Sequence, residues 1–171
     1  SGQAVVFQET GQPMPSGAPL FAQFDLGNSS SVRKRVSVLL LDSNFSDLSV
    51  CTFWLGPAAP LRTYMMRMHA TKPWANAAIY FYAATGGQDG GEYLVDNVML
   101  EAAPGQSGGR TDCVDPTRPV APGGASSANL ILNGDFSAPT IAPWSLFGDL
   151  TQRVNGGVFE FTGATSGDVP R

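Results

Sequence analysis

Histidine is almost missing from this chain of 171 residues, which has one, His69. A single imidazole nearly excludes a zinc site or a His-based catalytic triad. Cysteine is scarce too. Cys51 and Cys113 show neither CxxC nor Cys/His spacing, which argues against a metal cluster. The preferred reading is a Cys51–Cys113 disulfide, implying an oxidising, extracellular compartment; the alternative is two unrelated thiols, one buried and one on a loop. Charged residues make up only 14% of the chain and the net charge is −4. Apart from Arg33, Lys34 and Arg35 the basic residues are dispersed, so nothing builds the continuous basic face that nucleic acid requires. No run approaches the roughly 18 apolar residues of a membrane helix, and no membrane insertion is expected. No signal peptide is present, as expected of a mature or excised piece. Phosphate loop, nucleophile elbow and Cys/His arrangement are all missing. Asp89, Glu92, Glu101, Asp149 and Glu160 could supply a glycosidase carboxylate pair, but no spacing singles out two of them. The chain reads as non-catalytic.

What is present is β-sheet patterning. Hydrophobic residues make up 43%, enough for a core, and 20 glycines and 13 prolines are scattered throughout. Alternating or continuous apolar runs predict strands near residues 4–8, 20–26, 33–41, 48–55, 62–69, 74–84 and 92–101, then 129–132, 151–154 and 157–162. Turn residues punctuate them at 11–13, 27–29, 42–44, 56–57 and 85–91. Many short strands with such punctuation point to an antiparallel sandwich. Alternation places Ala77, Ile79 and Phe81 on one face of their strand, with Trp74, Asn76, Tyr80 and Tyr82 on the other. It also puts Leu94, Asp96, Val98 and Leu100 together, so that a carboxylate falls among core positions and needs a partner. Asn28-Ser29-Ser30 and Asn44-Phe45-Ser46 fit the glycosylation acceptor pattern, a triplet common by chance. Residues 104–128 are rich in Pro, Gly and Ser, lack periodicity, and read as a linker.

Two segments resemble the ends of one module type, in inverted order. Residues 129–144 (NLILNGDFSAPTIAPW) resemble the opening, and residues 91–102 (GEYLVDNVMLEA) the closing strand, of jelly-roll carbohydrate-binding modules of the family 4/9/22 type. Placing residues 126–171 ahead of 1–103 gives about 150 residues, the size of one domain. The last 43 residues (129–171) are too few to bury a core alone. They therefore complete a sandwich, either their own in a circularly permuted fold or that of a neighbouring chain; an arbitrary fragment is a third explanation. Exchange with a neighbour propagates head to tail into a fibre. An Arg171 end and a Ser1 start suit cleavage after arginine.

The resemblance implies two kinds of site. A structural Ca²⁺ in such modules sits beside the opening segment, which suggests Asp96 with oxygens around Gly134, Asp135 and Ser137; here Ser137 stands where the family usually has Glu. The alternative is that Asp96 accepts backbone N–H bonds and no ion binds. Glycans in such modules stack on aromatic rings, which suggests Trp74, Asn76, Tyr80 and Tyr82 with Tyr64 and Arg62, residues equally suited to covering a sandwich or meeting a subunit. Trp144 is expected to pack near the opening segment, and Trp54 suits core or interface.

The expected fold is all-β, a jelly-roll sandwich of two antiparallel sheets. Residues 1–103 form its body, 104–128 a linker, and 129–171 the completing strands. The expected function is that of an extracellular or cell-surface structural subunit linked head to tail with copies of itself, through Leu130, Leu132, Phe136, Phe159 and Phe161 in the acceptor's core. Burial stabilises by roughly 1.5–3 kcal/mol per such side chain. The alternative is a carbohydrate-binding module whose partners are glycans.

Overall fold

A computed structural model describes residues 4–85, 92–102, 111–118, 129–148 and 150–163. The turn at 85–91 beyond Thr85, most of the linker, Asp89, Asp149 and residues 164–171 lie outside the described residues. Among the described residues eleven strands are seen: β1 (Val5–Glu9), β2 (Pro19–Asn28), β3 (Lys34–Asp42), β4 (Leu48–Leu55), β5 (Arg62–His69), β6 (Ala77–Ala83), β7 (Tyr93–Ala102), β8 (Asp112–Val114), β9 (Ser145–Phe147), β10 (Leu150–Asn155) and β11 (Val158–Gly163). They form a five-stranded sheet in the order β4-β3-β6-β1-β9 and a six-stranded sheet in the order β10-β11-β7-β2-β5-β8. The two antiparallel sheets pack face to face as a β-sandwich. No helix among the described residues is long and apolar enough to cross a membrane.

Alternation builds the core. From β2 come Leu20, Ala22, Phe24 and Leu26; β3 gives Val36, Val38 and Leu40, and β6 gives Ala77, Ile79, Phe81 and Ala83. Phe24 meets Phe53 and Phe81 at centroid distances of 6.0 and 5.3 Å, both edge-on. The outward residues of β6 and its neighbours are also apolar, so the five-stranded sheet carries a second cluster of Val5, Leu39, Leu41, Ala78, Tyr80 and Tyr82 on its outer face.

Four expectations are corrected. The run at 129–132 is not a strand: Asn129 Oδ1 accepts from the N–H groups of Leu100 and Ile131, and the buried Gln8 amide bonds both the N–H and the C=O of Leu132 at 2.9 Å. Side chains thus do the work of a ladder. The linker is not structureless throughout, because β8 within it extends the six-stranded sheet beside β5. Trp74 precedes β6 and bridges to Met14 instead of joining the strand. Finally, Leu94, Asp96, Val98 and Leu100 do not share a face. The β2–β7 register shifts between Gln23 and Asp25, and Asn97 takes φ 48. This bulge inverts the alternation. Tyr93 and Val95 point inward before it, Val98 and Leu100 after it, and Asp96 sits opposite Asp25 on the outer side.

A Cys51–Cys113 disulfide joins β4, at the edge of one sheet, to β8, at the edge of the other.

Candidate functional site

The outer face of the five-stranded sheet carries an aromatic groove. Tyr80 and Tyr82, two residues apart on β6, point the same way with ring centroids 6.1 Å apart. Phe7 on β1 stacks on Tyr80 at 4.5 Å, and Phe45, held in the β3–β4 turn with φ 60, meets the same ring edge-on at 5.5 Å. With Val5 and Phe147 these residues line a groove of about 280 Å³. Burial, then the nearby Glu9 and Tyr82, raises the Tyr80 hydroxyl above its ordinary value; burial alone raises that of Tyr82. Both remain neutral phenols, able to donate one hydrogen bond and accept others. Phe45, Leu48, Val50, Trp54 and Phe147 are exposed on this face, an apolar surface of the kind that marks interaction sites.

Of the six glycan candidates, the structure brings only Tyr80 and Tyr82 into this groove. Trp74 is in the core, its indole N–H donating to Asp47 at 2.7 Å. Tyr64 is in the core against Phe53, at 4.8 Å. Arg62 is exposed on β5 of the opposite sheet. Asn76 lies beyond the end of the groove, where its amide accepts from Gly11 N–H and donates to Glu9. The sequence reading missed Phe7, Phe45 and Phe147. Only Phe7 had a signal, since it alternates with core-facing Val6.

The four calcium candidates are drawn close together by the NGDF segment. Val98 N–H donates to the Gly134 carbonyl at 2.7 Å, fixing the segment against β7. A Cβ on Gly134 would lie 2.0 Å from the Val98 carbonyl oxygen, so only glycine fits here. Asp135 Oδ1 accepts from the Ser137 N–H and hydroxyl, which hold its carboxyl below the ordinary value. Asp96 accepts from Asn97 N–H at 2.8 Å. Burial raises its carboxyl, that hydrogen bond lowers it, and the charges of Asp25 and Asp135 raise it again; the net shift is upward. Among the described residues, no group of three or more His, Cys, Asp or Glu side chains converges as metal ligands.

Of the candidate glycosidase carboxylates among the described residues, Glu92 and Glu160 come together. Arg153 on β10 bridges Glu160 on β11 and Glu92 just ahead of β7, the latter at 3.1 Å. Burial and its hydrogen bond with Glu160 raise Glu92; burial alone would raise Glu160, but hydrogen bonds with Glu92, Arg153 and Asn155 lower it. Through Arg153 the pair ties the C-terminal hairpin to the body.

The C-terminal residues supply a large share of the core. Phe136 stacks on Trp144 and Phe159 at 5.3 and 5.2 Å; Phe159 meets Phe161 at 5.7 Å, and Phe161 meets Tyr93 at 5.4 Å. Phe136, Phe159 and Phe161 are fully buried, and Leu130 packs against the core in part. Leu132 is 64% exposed, against expectation, because Gln8 fixes its backbone with the side chain outward; Ile131 points in instead, at 4%. In this structure the segment lies on its own chain, β9 beside β1 and β11 beside β7.

In comparisons with known proteins, no family model, no curated protein and no solved structure matches this chain.

Proposed function

We propose that the chain is a non-catalytic, extracellular structural module of jelly-roll type, whose C-terminal segment can complete the sandwich of a second copy and so link subunits head to tail. One observation carries this reading. Removing residues 129–163 would open two sheet edges at once, β1 and β7, and empty the core of Ile131, Phe136, Trp144, Phe159 and Phe161. Such a body is an acceptor for β-strand addition. Every contact the segment makes with its own body can be made equally by the segment of a neighbour, and an exchange that does not close on itself builds a fibre. The disulfide supports an oxidising, extracellular setting.

The test is a cross-strand cysteine pair. Val5 and Phe147 are register partners between β1 and β9, on the outer face. Val5→Cys with Phe147→Cys, oxidised at high protein concentration, is expected to give a covalent ladder on non-reducing gels. Crosslinked monomer alone would show that the segment stays on its own body.

The groove of Tyr80, Tyr82, Phe7, Phe45 and Phe147 favours a second reading, glycan attachment at the same module's surface. Pyranose rings stack on such aromatic walls through their C–H faces. Tyr80→Ala and Tyr82→Ala are expected to abolish retention on the glycan that a broad array identifies; an array without a hit removes this reading.

A further inference from the structure

A second concave surface lies at the opposite edge of the same sheet. The disulfide holds residues 111–118 against β4 and leaves a cleft of about 340 Å³, lined by Trp54, Arg33, Arg118, Thr52, Thr117 and Asp115 among others. Trp54 points outward from β4 and is 45% exposed. The guanidinium of Arg33 stands 4.3 Å from its ring centroid and that of Arg35 5.6 Å. Three arginines thus gather around one indole, in a chain with ten Lys and Arg residues and a net charge of −4.

Among the described residues, Asp115 is the one carboxylate lining this cleft, and it is hydrogen-bonded within its own turn. Asp115 Oδ1 accepts from Thr117 N–H at 2.8 Å and from the Thr117 hydroxyl at 2.6 Å, closing a turn. Neither Arg33 nor Arg118 forms an ion pair with a carboxylate of the described residues. A half-exposed indole, the Arg33 guanidinium lying over its ring, and the Arg118 guanidinium therefore share one cleft.

We propose that this cleft binds a carboxylated sugar unit of an acidic polysaccharide, the hexuronate class. Each part of the lining matches one part of that ligand. The Trp54 ring suits the C–H face of a pyranose. Arg33 and Arg118 offer the bidentate geometry that a carboxylate takes. The Thr52 hydroxyl, 3.2 Å from that of Ser37, and the Thr117 hydroxyl suit the ring hydroxyls. A simple anion would leave the indole unused, and a neutral sugar would leave the guanidiniums unused. The site is separate from the Tyr80–Tyr82 groove and depends on neither reading of it, nor on subunit exchange.

The probes are pentagalacturonate and the neutral galactopentaose, titrated into the whole chain with its disulfide intact, with Trp54 fluorescence and calorimetry as readouts. The acidic oligomer is expected to bind at least about tenfold tighter, with an affinity that falls as salt screens the arginines. Trp54→Ala, Arg33→Gln and Arg118→Gln are each expected to weaken it about tenfold with the thermal midpoint retained, while Trp54→Phe keeps most of it. Four results would overturn the proposal: no binding of pentagalacturonate; equal binding of the neutral oligomer; equal binding of hexaglutamate, which would mark an acidic protein segment as the ligand; or full affinity in Trp54→Ala, which would mark a simple anion site.

Discussion

Single residues fix where the C-terminal segment crosses the body. Gly134 is needed for space, since its backbone lies directly on β7. Gly134→Ala forces a Cβ to 2.0 Å from the Val98 carbonyl oxygen, a backbone atom that cannot swing aside. The expected cost is about 3 kcal/mol, the upper range for overpacking, read from denaturant unfolding. Asp96 is the converse case, a residue whose charge opposes the fold. Its carboxyl is raised by burial and by Asp25 and Asp135, so the native state binds the proton more tightly than the unfolded chain does. Its contribution to stability is therefore full below the ordinary aspartate range and is lost as pH rises through the raised value. Asp96→Asn keeps the acceptor for Asn97 N–H and removes the charge. It is expected to raise the thermal midpoint at pH 7 and to leave it unchanged near pH 3. A calcium titration tests whether an ion binds at the same position: a Ca²⁺ held by Asp96 and Asp135 would give the wild type a calcium-dependent rise in midpoint that Asp96→Asn lacks.

At the scale of elements, the hairpin of β10 and β11 is fastened by charges of opposite tendency. Glu92 is raised, so its share of stability is present below its ordinary value of 4.5 and lost as pH rises through the raised one. Glu160 is lowered, so its share is present above 4.5 and lost as pH falls through the lowered value. Glu92→Gln retains a donor toward Glu160 without the second negative charge. It is expected to slow hydrogen exchange of the β10–β11 amides at pH 7 and to have no effect near pH 4; slower exchange at both pH values would point to packing instead of charge. The strands themselves were largely legible in the sequence, because two-residue alternation is a local signal: β4 and β5 run over the residues the pattern predicts. The pattern failed where a neighbour supplies the reason for the structure. β8 exists because Cys113 is tied to Cys51, the 129–132 segment because Asn129 and Gln8 stand in for a strand, and the outward turn of Asp96 because β2 shifts register against β7. The groove was half legible for the same cause. Tyr80 and Tyr82 share one strand and one face, whereas Phe45 and Phe147 reach the groove from a turn and from a three-residue strand.

For the whole molecule, the order of the chain is the controlling fact: the last described residues, 129–163, close the core that the earlier strands build. The disulfide closes a loop across 62 positions and ties the two sheets at one side. Chain entropy for a loop of that length gives about 4 kcal/mol, so Cys51→Ala with Cys113→Ala is expected to lose about that much stability. The C-terminal segment ties the other side through its aromatic residues. Phe159→Ala removes a fully buried ring and is expected to cost about 3–5 kcal/mol. That cost is the same whether the ring sits in its own sandwich or in a neighbour's, because the contacts are the same; only mass action separates the two arrangements. A segment folded on its own body gives a thermal midpoint independent of protein concentration, whereas an exchanged one gives a midpoint that rises with it. For chains assembled head to tail, the expected result is a midpoint that climbs across a hundredfold range of concentration. In Phe159→Ala the weakened joint shifts that dependence to higher concentration, while the disulfide variant loses stability within each body. A midpoint that stays flat in all three proteins assigns the C-terminal strands to their own chain.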